Sequence, residues 1–234
     1  MRINKYVSMC GLGSRREADR LVEAGRVSIN GQVAESGMQV EEGDTVCVDG
    51  KPITPPAEKT YLKLYKPVGI VCTADPTEKN NVIDYVHAQA RVTYAGRLDR
   101  NSEGLLLLTD DGDLIDALMR SKSAHEKEYE VTLSRVMRKE EIERMTAGVY
   151  LEELERTTLP CRIDFLGSTT YRFVLTQGLN RQIRRMAETF GLRVRKLKRV
   201  RVATLELGDL KKGEWRPLTE EEVRALKEAT EQKG

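Results

Sequence analysis

Apolar residues at Ile3, Val7 and Cys10 recur at helical spacing until Gly11 and Gly13 interrupt the pattern. Ser14 followed by Glu17 forms a capping box, which ties two otherwise orphaned amides at a helix start. Behind it Ala18, Leu21 and Val22 share one apolar face, with Arg15, Arg16 and Arg20 off that face, and Gly25 stops the helix. Val27-Ser28-Ile29 predicts a strand, Asn30-Gly31 a tight hairpin, and Gly43-Asp44 a turn before a short strand over Thr45–Val48. Residues 1–50 are thus expected to pack two small helices on a few short strands. Pro52, Pro55 and Pro56 make residues 51–59 a stiff, extended linker.

From residue 60 the periodicity changes. Tyr61–Tyr65 alternates as a strand, Val92–Ala95 and Leu105–Thr109 predict buried strands, and Glu128–Leu133, Thr170–Thr176 and Val202–Leu207 predict further ones. Helices are expected over Leu114–Arg120, Lys139–Thr146 and Asn180–Phe190. A second capping box, Thr219 with Glu222, opens a C-terminal helix through Val223 and Leu226. Strands and helices do not alternate regularly, which excludes a doubly wound parallel sheet. The expected fold is α+β: a small N-terminal domain over 1–50, then over 60–234 a mixed, largely antiparallel sheet with flanking helices.

Composition narrows the function classes. The 234 residues are 39% hydrophobic and 32% charged, with 39 basic against 37 acidic side chains and a net charge of +2, which rules out a polycationic tail. The longest aliphatic run, Leu105–Leu108, is far short of the ~18 residues that span a bilayer, and no apolar stretch follows Met1-Arg2-Ile3-Asn4-Lys5 to act as a secretory signal. The four cysteines (Cys10, Cys47, Cys72, Cys161) stand far apart and there are only two histidines, so neither a disulfide framework nor a metal site is expected. These features predict a reduced, cytoplasmic protein without membrane contact.

Charge is unevenly placed within the balance. Residues 1–30 hold six basic and three acidic side chains, whereas residues 31–50 hold five acids and no Lys or Arg. A helical face so charged suits docking to phosphates, although an ordinary solvated helix surface fits as well. Residues 181–201 hold nine basic side chains against one acid, Glu188. Solvated faces ordinarily mix signs, so this run argues for a polyanionic partner, with RNA the natural candidate. Arg181, Arg184, Arg185 and Glu188 fall on one helical face, with Ile183, Met186 and Phe190 on another.

Two shorter clusters could carry chemistry. In Tyr94–Gly104 an apolar strand ends at Gly96 and a polar loop presents Arg97, Asp99 and Arg100 before Gly104 closes it. Asp99, flanked by cations, is expected to stay ionised and could serve as nucleophile or base, or simply as a turn residue in a surface salt bridge. Tyr129 alternates with Val131 and Leu133, so it points into a core or a cleft, where an aromatic can stack on a nucleobase. His125 has no partner at metal spacing and is expected as a surface or hydrogen-bonding residue. Glycines at phosphate-cradling spacing are missing, which leaves no support for a nucleotide cofactor.

Together these segments resemble the bacterial ribosomal pseudouridine synthases of the small- and large-subunit type, over essentially the whole chain. The resemblance rests on Ser14-Arg15-Arg16-Glu17-Ala18 with Ile29-Asn30-Gly31, as in an alpha-L RNA-binding motif. Lys66-Pro67-Val68-Gly69 and Gly96-Arg97-Leu98-Asp99 with Ser102-Glu103-Gly104-Leu105 add to it. His125–Tyr129 and Gln177–Met186 have the form of F-type large-subunit members, and Gly213-Glu214-Trp215-Arg216 fits too. The resemblance implies isomerisation of uridine to pseudouridine in large-subunit ribosomal RNA, without a cofactor. Asp99 would be the essential catalytic aspartate and Tyr129 the aromatic stacked on the flipped uracil. Arg184 would pair with Asp99, Arg97 would enter the space left by the extruded nucleotide, and Leu197 would pack near the pocket. Arg181, Arg185 and Lys196, with Arg2, Lys5, Arg15 and Arg16, complete the expected RNA contacts. The partner is expected to be a ribosomal RNA stem-loop or a partly assembled large subunit, met by a monomer. Members of this type often run on into a basic C-terminal tail, whereas the sequence here stops at Gly234, a departure that could change affinity or target choice. Alternatives are the same reaction on small-subunit ribosomal RNA, or a non-catalytic RNA-binding assembly factor.

Overall fold

A computed structural model of the chain describes residues 1–119 and 125–231. Its residues divide into two compact units, Met1–Lys59 with Asp110–Gly112, and Thr60–Thr109 with the residues from Asp113 onward.

In the first unit helices Ile3–Met9 and Arg15–Glu23 cover a four-stranded antiparallel sheet ordered Gln32–Val33, Val27–Ile29, Val46–Val48, Lys51–Ile53. The Ser14–Glu17 capping box forms in both directions. Ile3, Val7, Ala18 and Val22 from the helices meet Val27, Val46 and Val48 from the sheet in one core. Asn30 and Gly31 both take positive φ, as the two-residue hairpin requires. The proline-bearing stretch is not wholly connector: Lys51–Ile53 pairs with Val46–Val48 as the edge strand, the position where Pro52 can sit in a sheet.

In the second unit seven strands run in the order Arg162–Gly167, Thr170–Leu175, Lys127–Leu133, Val194–Val202, Glu103–Thr109, Tyr61–Lys66, Trp215–Pro217, with Thr93–Ala95 and Leu205–Glu206 paired alongside. Every neighbouring pair is antiparallel except Val194–Val202 with Glu103–Thr109, which is parallel. The sheet is therefore mixed and largely antiparallel. Central position explains the unbroken apolar run in Glu103–Thr109, whose every residue is buried. Leu105 and Leu107 face Leu114, Leu118 and Leu226 on one side, and Leu106 and Leu108 face Val82 and Val86 on the other. Across the sheet, helices Lys139–Ala147 and Gln182–Thr189 cover Val131, Leu133, Tyr171 and Phe173 through Met145, Ile183, Met186 and Ala187.

Several expectations change. Residues 202–207 are not one strand. The basic stretch before them is the long strand Val194–Val202, and the chain reverses at Ala203, which adopts positive φ, before Leu205–Glu206. Register shifts between Val194 and Lys196 and between Arg199 and Arg201 break the two-residue alternation that would have marked the strand. The arginine helix starts at Gln182 because Arg181 is left-handed at φ 51°. The helix expected over 114–120 spans Gly112–Met119, and Arg120 lies outside the described residues. Helix Val82–Val86 and strands Arg162–Gly167 and Trp215–Pro217 lacked strong periodic signals. His125 is buried rather than on the surface. Among the described residues no helix is long and apolar enough to cross a membrane, and no group of three His, Cys, Asp or Glu could hold a metal ion.

Candidate active site

The only parallel pairing in the described sheet creates the site. The loop leading into Glu103–Thr109 carries Asp99, and the helix leading toward Val194–Val202 carries Arg184. They meet in an open cleft with about 90 Å³ of enclosed volume. Arg97, Asp99, Tyr129, Arg181, Arg184 and Leu197 all line it.

Asp99 sits at the end of the Gly96 turn, and its carbonyl accepts from the Ser102 amide at 3.0 Å. Its carboxylate lies 3.8 Å from both Arg181 and Arg184. These are not the sequence neighbours expected to flank it: among the described residues Arg97 and Arg100 form no ion pair with Asp99. Arg184 is 7% exposed at its side chain. Its two terminal nitrogens donate to Val194 O (3.2 Å), Asn101 O (3.0 Å) and Ser102 Oγ (3.1 Å), leaving Nε beside Asp99. Burial chiefly, then the neighbouring Arg181 charge, lowers the Arg184 pKa, while Asp99 opposes them. A guanidinium so far from neutral pH keeps its charge regardless. Tyr129 is half-buried across the pocket, between Phe173 and Arg199 in the sheet register. A carboxylate beside a buried guanidinium, with an aromatic ring in the same cleft, can act on a planar base brought into contact with both.

Residues 60–189 match the RNA pseudouridylate synthase family and residues 1–46 match the S4 domain. The chain is 44% identical to the dual-specificity RNA pseudouridine synthase RluF of Escherichia coli (strain K12), over 95% of this chain and 77% of that one. The chain belongs to the RNA pseudouridylate synthase family. It is 34% identical to the ribosomal large subunit pseudouridine synthase B of Bacillus subtilis (strain 168), over 97% of this chain and 95% of that one. A solved structure described as a pseudouridylate synthase superposes with a TM-score of 0.71 at 29% identity, covering 97% of this chain and 99% of that one. The enzyme is thus an RNA pseudouridine synthase whose first unit is an S4 domain.

Six of the residues singled out from this synthase's sequence come together, and others do not. Arg185 lies outside the pocket lining, bonded to Asn180 and paired with Glu153. Lys196 also stays outside, 3.3 Å from the buried Glu103, whose carboxylate additionally takes Lys212 at 2.6 Å and the Tyr65 hydroxyl at 3.1 Å. Burial, helped by Glu103, pushes the Tyr65 hydroxyl up to about 12. Arg2, Arg15 and Arg16 are exposed and Lys5 half-buried on the S4 domain. The basic run over 181–201 is a correction. Lys198 pairs with Glu130 and Arg201 with Glu126 and Glu128, so part of its charge is met by distant acids, while Arg199 is buried. That pairing was invisible because the acids lie on strand Lys127–Leu133 and just before it.

Sequence reasoning also missed Ser102, which holds Arg184, and the fully buried Lys66, whose ammonium donates to Pro67 O and Ile70 O at 2.9 and 2.8 Å. Burial lowers the Lys66 pKa. The motif Lys66-Pro67-Val68-Gly69 was the available signal, but lysine is so rarely buried that composition argues against it.

Proposed function

We propose that the synthase isomerises uridine in large-subunit ribosomal RNA, with Asp99 as the reacting carboxylate. The observation that carries this reading is the Asp99 carboxylate held 3.8 Å from the buried Arg184 in the same pocket as Tyr129. A uridine must leave its stack to reach that carboxylate, at a cost of a few kcal/mol, which stacking on Tyr129 offsets by about 1–3 kcal/mol. Asp99 acts at the ribose as the N1–C1′ bond breaks. The base turns, C5 bonds to C1′, the C5 proton leaves, and N1 takes a proton, so atoms and electrons balance without an oxidant. Arg184 keeps Asp99 aimed, Arg97 enters the gap left in the RNA, and Leu197 closes the pocket wall. The exposed Arg2, Arg15 and Arg16, with Lys5, dock an RNA stem-loop on residues 1–50, and the chain beyond Ile53 connects that module to the catalytic domain. The enzyme works as a monomer in the cytoplasm, on free RNA or a partly assembled large subunit.

The large-subunit assignment is supported by the likeness to the Bacillus ribosomal large subunit pseudouridine synthase B and by the His125–Tyr129 and Gln177–Met186 segments. Mapping pseudouridine across both ribosomal RNAs and other stable RNAs from a deletion strain tests it. Loss at a large-subunit position is expected. Loss confined to the small subunit would overturn the target. The "dual-specificity" in the name of the Escherichia coli relative favours a second modified RNA, which the same map would display.

A further inference from the structure

Arg199 is the largest of the fully buried side chains, yet no carboxylate pairs with it among the described residues. Its Nε donates to Leu105 O at 2.8 Å, its Nη1 reaches Arg97 O at 3.5 Å, and its buried Nη2 has no hydrogen-bond partner among the described residues. The buried Lys66 and the half-buried Lys127 feel its charge as a force lowering their own pKa values, after burial. A buried cation without an anion is costly, and an apolar side chain would fill the same space without that cost. What Arg199 holds must therefore account for it.

It holds the turn that presents Asp99. Arg97 O lies two residues before Asp99, and Nη1 stands 3.8 Å from where a side chain on Gly96 would begin. The rest of that loop is clamped one group at a time. The Leu98 amide donates to Cys72 Sγ (3.4 Å), Arg100 O accepts from the Gly69 amide (2.7 Å), and Asn101 O accepts from Arg184 (3.0 Å). Without Arg199 the Arg97 carbonyl at the head of the loop loses its anchor. The backbone is arranged to bring the guanidinium there: Arg199 and Gly104 are partners in the parallel pair, and any Cβ at 104 would stand 2.2 Å from Arg199 O. Arg199 is also directly opposite Tyr129 in the neighbouring strand.

Building on the proposed role of Asp99, we propose that Arg199 is a positioning residue, setting the Gly96–Asp99 turn from behind and acting on the chemistry only through Asp99. It belongs functionally to the active site and not to the basic run in which it lies in sequence.

The test compares Arg199→Met and Arg199→Lys with wild type by single-turnover pseudouridine formation on protein-free large-subunit ribosomal RNA, by RNA affinity at fixed salt, and by amide hydrogen exchange. Arg199→Met is expected to lower the single-turnover rate by about 100-fold with affinity within about threefold of wild type. Arg199→Lys, with one donor centre in place of the fork, is expected to recover about tenfold of that loss. Exchange should quicken in both at Leu98–Ser102 while strand Glu103–Thr109 stays protected. A near wild-type rate in Arg199→Met, a parallel loss of rate and affinity, or no recovery with lysine would each overturn the inference. If Arg199→Met does not fold, Arg199→Lys decides: a rate down about fivefold or more at unchanged affinity supports it, and a wild-type rate refutes it. Failure of both variants to fold also refutes it, since the residue would then hold the sheet and not the turn. No product from folded wild-type enzyme would contradict the function and leave the exchange result to judge the positioning.

Discussion

Replacing Arg184 by methionine removes the closest buried cation to Asp99 while keeping the volume of the side chain. Two unit charges about 4 Å apart interact by about 4 kcal/mol at an effective dielectric near 20. The separation is 3.8 Å, but Asp99 is 34% exposed, and solvent reduces the interaction to about 2 kcal/mol. If all of it serves to hold the carboxylate for reaction, turnover falls by about 30-fold. The same change strips the hydrogen bonds to Val194 O, Asn101 O and Ser102 Oγ, costing about 1–2 kcal/mol of fold stability, chiefly because the buried Ser102 hydroxyl loses its partner. Turnover is therefore measured under single-turnover conditions below the melting point of the variant, alongside RNA affinity at constant salt. A loss of turnover with affinity nearly intact is expected. Equal losses in both would reassign Arg184 to phosphate contact, and unchanged turnover would refute its pairing with Asp99.

Glu222 receives two bonds from Arg216 (2.7 and 2.9 Å) and one from the buried Lys63 (2.9 Å), and the Arg216 bonds foremost hold its carboxyl down at about 2. Its folded pKa lies below the unfolded one, so this stability is complete above about pH 4.5 and disappears as pH falls through about 2. Glu222→Gln should cost about 2 kcal/mol in urea unfolding at pH 7 and visibly less at pH 3; a cost independent of pH would contradict the ion pair. In residues 193–201 only Arg193 and Arg195 are exposed without an acidic partner among the described residues. Neutralising both as glutamine should shallow the salt dependence of RNA affinity by about 1–2 in log–log slope, whereas neutralising Lys198 and Arg201 should barely change it. The reverse result would return the paired cations to the RNA surface.

How much was legible in the sequence follows from which forces were local. Both capping boxes, at Ser14 with Glu17 and Thr219 with Glu222, form because each needs only three residues of chain. The Asn30-Gly31 hairpin and the core run Leu105–Leu108 were equally local. The Asp99 loop could be marked by its glycines, but its partners could not: the cations at Asp99 come from residues 181 and 184, delivered by the fold. The run over 181–201 misled for the same reason. Its net charge in sequence is high, but Glu126, Glu128 and Glu130 neutralise part of it across the sheet, and Arg199 turns inward. The two register shifts that place Arg199 there also concealed its strand.

The most direct measurement is tritium release from uridine-C5-labelled large-subunit ribosomal RNA, prepared from cells lacking the enzyme, by wild type and by Asp99→Ala. Release by wild type and none by the folded variant is expected, with the variant still binding RNA. Release by Asp99→Ala at the wild-type rate would contradict the role assigned to this carboxylate.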